Sequence, residues 1–188
     1  LALMAQRPKM HIKLFGGLNA SSLVIKNEDV DTETLGGFQL GGGFRVSQRQ
    51  AFLEIDVVYL ARGLTLITVV DHELGIEEDI NLIMRSIDVP MVIGYIPVKT
   101  PLFKTYLYGG ISNMFSLQGS ITYMDQEIKF KPKDAHLHFY KLGSRMGVQI
   151  DLAMFNLDLN YTFGLTNHFR ENVRTNSLLI KFNIGFLF

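Results

Sequence analysis

From Leu178 onward, the even positions are Leu178, Ile180, Phe182, Ile184, Phe186 and Phe188. The odd positions are Leu179, Lys181, Asn183, Gly185 and Leu187. A β-strand sends successive side chains to opposite faces, so this segment predicts a strand with one bulky apolar face and one mixed face. The same period recurs upstream. Met10, Ile12, Leu14 and Leu18 alternate with His11, Lys13, Phe15 and Asn19, and Phe38, Leu40, Phe44 and Val46 alternate with Gln39, Gly41, Gly43 and Arg45. Leu53, Ile55, Val57 and Tyr59 oppose Glu54 and Asp56; Ile87, Val89, Met91, Ile93 and Tyr95 oppose Asp88 and Gly94. A less regular run sets Leu107 and Ile111 against Lys104, Tyr106 and Tyr108. Leu142, Met146, Val148 and Ile150 oppose Lys141, Arg145, Gln149 and Asp151, and Leu157, Leu159, Tyr161, Phe163 and Leu165 oppose Asp158, Asn160 and Thr162. The count is about eight strands, each long enough to cross a bilayer when tilted, which takes roughly 9–11 residues.

The gaps between these runs alternate in length. Residues 47–50, 97–101 and 153–155 predict tight turns, and residues 21–34, 65–81, 118–135 and 167–176 predict longer polar loops. Short turns at one end and long loops at the other predict an all-β fold, a closed antiparallel up-and-down transmembrane β-barrel. In that geometry both chain ends belong on the periplasmic side. The second long gap carries its own alternating run, residues 64–70, so the third and fourth strands are expected to continue above the membrane as a hairpin. No stretch approaches the roughly 18 consecutive apolar residues of a membrane-spanning helix.

The mixed faces collect Arg45, Glu54, Asp56, Asp88, Lys104, Lys141, Arg145, Asp151, Asp158 and Lys181. Charges of both signs inside a narrow barrel can pair with one another, which offsets the cost of leaving water. An eight-stranded barrel is just wide enough for side chains to fill. These residues therefore predict a salt-bridged, plugged lumen, with the apolar faces toward lipid. Glycines Gly41, Gly43, Gly94, Gly110, Gly143, Gly147, Gly164 and Gly185 fall on the same mixed faces, as a tightly filled interior requires. Tyr59, Tyr95 and Tyr161 are expected near the water interface as part of an aromatic girdle. Periodicity alone leaves the inverse open, a soluble lipocalin-like barrel with apolar residues inside around a hydrophobic ligand.

Composition narrows the classes further. The 188 residues suit one domain, and Lys+Arg and Asp+Glu balance at 18 each. Zero net charge argues against nucleic acid, which recruits a basic excess. The absence of cysteine excludes disulfides and thiolate metal sites. Residues 1–7 read as a signal-peptide remnant or N-terminal tail, with an apolar start and a small residue at Ala5, and residues 8–188 as the barrel domain.

Several segments, in order along nearly the whole chain, resemble the PorT-like family of small outer-membrane β-barrels from Bacteroidetes. They are Gly17-Leu18-Asn19-Ala20-Ser21, Glu54-Ile55-Asp56-Val57-Val58-Tyr59, Ile87-Asp88-Val89-Pro90-Met91-Val92-Ile93-Gly94-Tyr95 and Tyr106-Leu107-Tyr108-Gly109-Gly110. Pro90 is unusual inside a sheet, which makes its match more telling. The terminal Ile180, Phe182, Ile184, Phe186 and Phe188 resemble the signal that barrel-assembly machinery reads on its clients. The resemblance implies outer-membrane residence in a Gram-negative envelope, contact with outer-membrane lipid, and the assembly machinery as a partner during biogenesis. It implies no single activity; a founding member serves protein secretion.

Candidate chemistry is sparse. His168, beside Thr166 and Asn167, and the serines Ser112 and Ser144 are the components a lipid-modifying enzyme would need, but no nucleophile motif surrounds either serine. His136 and His138 share one strand face at a spacing that can ligate metal, without an evident third ligand. Asp125 and Glu127 share a loop with Lys129, Lys131 and Lys133 and could meet calcium or lipid phosphate. The run Leu40-Gly41-Gly42-Gly43-Phe44 fails the dinucleotide pattern, because Val46 stands where its third glycine belongs and no helix follows. Asp71, Glu73, Glu77, Glu78 and Asp79 form an acidic segment suited to an exposed recognition surface. The expectation is a barrel without catalytic residues, cofactor or metal. It would act as a structural, adhesion or secretion-accessory protein through its loops, with an envelope or secretion protein as a possible partner.

Overall fold

The computed structural model describes residues 8–25, 32–33, 35–71, 76–123, 126–130, 139–166 and 175–188. Ten strands run in chain order: β1 (Lys9–Ile25), β2 (Thr32–Glu33), β3 (Leu35–Gln48), β4 (Ala51–Asp71), β5 (Ile76–Lys99), β6 (Phe103–Tyr123), β7 (Gln126–Phe130), β8 (Tyr140–Leu152), β9 (Phe155–Gly164) and β10 (Thr175–Leu187). Eight of them form a closed ring. Antiparallel pairing runs β4–β3–β1–β10–β9–β8–β6–β5, and β5 pairs back onto β4. The short β2 and β7 extend the wall beside β4 and β6. The seam between first and last strand is tied down to the final residue. Ile12 and Phe188 exchange both backbone hydrogen bonds, at 3.1 and 2.9 Å.

The turns at one end are short. Gln48 pairs with Ala51 and Leu152 with Phe155, each across two residues. The first turn residue has a positive φ in both, 56° at Arg49 and 53° at Ala153. That conformation lets a two-residue hairpin follow the right-handed twist of its strands. Between Lys99 and Lys104 the Thr100 hydroxyl accepts from the Phe103 amide at 3.0 Å and closes the third turn.

At the other end the strands outrun the sequence-based boundaries. β1 continues to Ile25 inside the gap expected as a loop, which also holds β2. The expected loop over 118–135 contains the end of β6 and all of β7, paired from Gly119↔Phe130 to Tyr123↔Gln126. Polar residues there hide strands from a reading based on apolar alternation, because backbone pairing does not need an apolar face. The β4–β5 hairpin, expected from residues 64–70, pairs from Thr65↔Asn81 to Asp71↔Ile76. Within the wall, β4–β5 pairing lapses at Asp56 and Val57, opposite Val89 and Pro90, and resumes in the same register. Proline has no N–H to give the ladder there.

The alternation resolves into two surfaces. Leu18, Leu40, Ile93, Leu159 and Met146 stand on the outside with more than half of their surface free, and the rest of the apolar faces joins them in one continuous belt. A belt of that extent does not face water in a soluble monomer. The polar faces turn inward, which excludes the inverted, lipocalin-like arrangement.

Candidate functional site: the filled lumen

Arg45 is the hub of the turn-end half of the lumen. Its Nε donates to Glu54 Oε2 at 2.5 Å, and Nη1 to Asp151 Oδ2 at 3.0 Å and Oδ1 at 3.2 Å. Nη2 donates to the Gln149 side-chain carbonyl. Glu54 also receives Lys13 Nζ, and Gln149 Nε2 at 3.0 Å. Asp151 further accepts from the Tyr106 hydroxyl at 2.5 Å and Asn156 Nδ2 at 2.7 Å. The guanidinium carbon of Arg45 lies 4.4 Å from the centre of the Tyr106 ring, a cation–π position. Six staves of the barrel are thereby stitched across its interior. Every polar end of Arg45 is used, the condition under which a buried ion pair does not destabilise.

A second cluster centres on Asp158, which accepts from Tyr108 (2.6 Å), Asn160 (2.9 Å), Asn183 (3.0 Å) and Arg145 Nη2 (3.3 Å). Beside it Lys181 donates to Asp88 Oδ2 at 2.6 Å, and the Ser112 hydroxyl donates to Oδ1 of the same carboxylate at 2.6 Å. Glycine makes room for these large side chains. A Cβ on Gly147 would stand 2.5 Å from the Tyr108 hydroxyl, and one on Gly43 would overlap the Asp56 carboxylate. Phe52, Val92, Ile96, Tyr106 and Tyr108 form an apolar floor at the turn end, and Leu60, Met114 and Leu179 a second apolar layer higher up.

The structure thus brings nine of the ten charged residues of the mixed faces into the barrel, all buried: Arg45, Glu54, Asp56, Asp88, Lys141, Arg145, Asp151, Asp158 and Lys181. Lys104 faces Asp151 across the backbone pairing but is only half-buried at the turn-end mouth. Lys13 belongs to the network although its charge did not enter the sequence-based set; its alternation with Ile12 and Leu14 was the available signal. Arg62 is also buried inside. It follows the inward-facing Val58 and Leu60 on the same face, where the contrast between faces is lost. Ile180, Phe182, Ile184, Phe186 and Phe188 all stand on the outer face.

Of the candidate chemistry, Ser112 is buried and committed to Asp88, whereas Ser144 shares the outward parity of Leu142 and Met146. The two serines therefore cannot share one site. His136, His138, His168, Asn167, Asp125, Glu73, Lys131 and Lys133 lie outside the described residues, as do residues 1–7. Among the described residues no group of three His, Cys, Asp or Glu side chains is placed to hold a metal.

An apolar outer belt around a closed eight-stranded ring with a polar, filled interior defines a small barrel of the bacterial outer membrane. Residues 4–170 match the family described as outer membrane protein beta-barrel domain, and the chain belongs to that family. Three solved structures share the fold: Ail, the attachment invasion locus protein of Yersinia pestis, Neisserial surface protein A, and OprG from Pseudomonas aeruginosa. Their identities to this chain are 12%, 12% and 11%, each with a TM-score of 0.52. The similarity covers 96%, 97% and 95% of this chain and 99%, 100% and 95% of theirs. No curated protein matches the sequence.

Proposed function

We propose that the protein is a closed, non-enzymatic outer-membrane anchor that presents its loop-end strand extensions for attachment. In this reading the turn end faces the periplasm and the loop end faces outward. The observation that carries it is the filled lumen, crossed by ion pairs and apolar layers, beneath a β4–β5 hairpin that, among the described residues, continues well beyond the wall. Ail, whose structure was solved with the heparin analogue sucrose octasulfate, is an attachment protein by name. The hairpin here places Asp71, Glu77, Glu78 and Asp79 on paired strands. Like charges repel a sulfated polymer, so the chemistry favours a basic protein surface as the partner. The PorT-like resemblance adds a secretion-accessory reading, in which the same hairpin would meet an envelope component.

The test displays the protein on a non-adherent Gram-negative host and replaces residues 67–79 by a two-residue turn. Attachment to a basic surface is expected to fall to background in the trimmed barrel, which keeps its heat-dependent mobility in SDS. Planar bilayers containing the intact protein are expected to stay silent. Full attachment by the trimmed barrel would overturn the role of the hairpin, and stepwise conductance would overturn the closed lumen. Lipid hydrolysis that is lost on His168→Ala would instead establish the enzymatic alternative.

A further inference from the structure

Six cations are buried in the described lumen, Lys13, Arg45, Arg62, Lys141, Arg145 and Lys181, against five carboxylates, Glu54, Asp56, Asp88, Asp151 and Asp158. The excess is not spread evenly. Lys13, Arg45, Arg145 and Lys181 each have a carboxylate partner. Arg62 and Lys141, each only 4% exposed, have none among the described residues. Among the described residues, Lys141 Nζ and both Nε and Nη2 of Arg62 are buried without a hydrogen-bond partner. The carboxylate whose field reaches Arg62 is Asp88, and both of its oxygens are already taken, by Lys181 and Ser112.

These two cations line one small cavity at the loop end, together with Thr162, Met114, Leu179 and Gly143. Met114 and Leu179 belong to the upper apolar layer with Leu60, and Ser112, whose hydroxyl is committed to Asp88, completes the wall, so no carboxylate oxygen among the described residues lines the cavity itself. The Thr162 hydroxyl, on the cavity wall, is also buried without a partner among the described residues. The cavity measures about 20 Å³, room for one water-sized body. Two adjacent cationic side chains with no carboxylate partner among the described residues are costly to hold charged in a low-dielectric site, and water, having no charge, does not relieve their repulsion. A small anion does.

We propose that this cavity is a binding site for a single anion of halide size, held by Arg62 and Lys141 above the Leu60–Met114–Leu179 layer. Its volume admits a monatomic ion and leaves no place for a sugar or a lipid headgroup. The bound ion completes the plug at the loop end, so the stability of the barrel becomes dependent on the halide concentration.

The test uses the full chain folded in detergent, with sodium bromide compared against sodium gluconate at equal ionic strength, and a third arm in sodium phosphate. The wild-type unfolding midpoint, read from heat-dependent mobility, is expected to rise by several degrees in bromide relative to gluconate. Crystals grown in bromide are expected to show an anomalous peak between Arg62 and Lys141. Lys141→Met is expected to abolish both, and to be more stable than wild type in gluconate because it removes an uncompensated buried charge. A residue that merely packs would lose stability in every buffer. Equal midpoints in bromide and gluconate with no anomalous peak overturn the proposal. So does stabilisation by phosphate alone, which would indicate a site built for a larger oxyanion. The bromide crystal reads the wild-type protein and decides the matter even if the variant fails to fold.

Discussion

Arg45 and Glu54 stand directly opposite one another on β3 and β4, nine residues apart in the chain, with both side chains turned into the barrel and Nε 2.5 Å from Oε2. The hairpin at Arg49 and Gln50 fixes that register, so this pair can form as soon as the two strands meet. The remaining partners of Arg45, Gln149 and Asp151, arrive from β8, more than a hundred residues later. A local contact thus presents half of a site that only the closed ring completes.

Arg45→Met should therefore do more than delete one ion pair. It leaves Glu54 with Lys13 and the neutral Gln149 amide and frees Asp151 of its charge partner. Removing one member of a buried pair costs about 3–5 kcal/mol, and the expected result is a lower urea midpoint for the folded band in cold SDS. The double variant Arg45→Met with Glu54→Gln should recover part of that loss, because fewer charges are left uncompensated. Equal midpoints for Arg45→Met and wild type would show that the network contributes nothing to stability.

Gly147 faces Tyr108, whose hydroxyl is held by Asp158 at 2.6 Å and so cannot retreat without breaking a buried hydrogen bond. The Leu159 carbonyl oxygen stands on another side of the same space, 2.7 Å from where a Cβ would be placed. Gly147→Ala is expected to destabilise the barrel by about 1–3 kcal/mol, the usual range for overpacking. Gly109→Ala on the neighbouring strand serves as the control. Its Cβ would meet the Arg145 carbonyl oxygen only at 3.9 Å, and the variant should unfold close to wild type.

How much of this could be read from the chain follows from where the two faces differ in chemistry. Along β9, Leu157, Leu159 and Tyr161 against Asp158, Asn160 and Thr162 left one assignment, and both the strand and its inward residues were legible. Along β4 the signal held through Glu54 and Asp56 and then failed. Val58 and Leu60 point inward and are apolar, so Arg62 had no polar run to belong to. Tyr106 and Tyr108 were correctly set against Leu107, yet their hydrogen bonds to Asp151 and Asp158 depend on neighbours 45 and 50 residues away. No local pattern encodes such distances. Of the loop-end extensions, the β4–β5 hairpin was legible from its own alternation, whereas β7 was not: it is held by backbone pairing to β6, which leaves little trace in hydropathy.

The orientation of the faces makes its own prediction. Leu159 is 55% exposed on β9, between Phe182 of β10 and Val148 of β8. Arginine placed on the lipid face near the midplane costs about 2–4 kcal/mol. Leu159→Arg is expected to lower the unfolding midpoint in lipid vesicles by far more than in a urea-refolded detergent micelle, which deforms around the charge. An equal effect in both would mean that Leu159 does not meet the bilayer core.

At Phe188 the backbone and the side chain stand in different surroundings. Phe188 closes the seam through its backbone, which gives and receives a hydrogen bond with Ile12, whereas its side chain is 71% exposed on the outside. Phe188→Ala keeps both backbone bonds and removes only an exposed ring. Refolding in detergent and the heat-dependent mobility shift should therefore be unchanged. If the ring is what barrel-assembly machinery recognises, the same variant in cells should accumulate as unassembled protein in the periplasm, with several-fold less in the outer membrane. Phe186→Ala removes a ring that packs at a tilt against Phe155 of β9, centroids 5.2 Å apart, so it should weaken the purified barrel as well. A Phe188→Ala protein that reaches the outer membrane at the wild-type level would show that the terminal ring is not read during assembly.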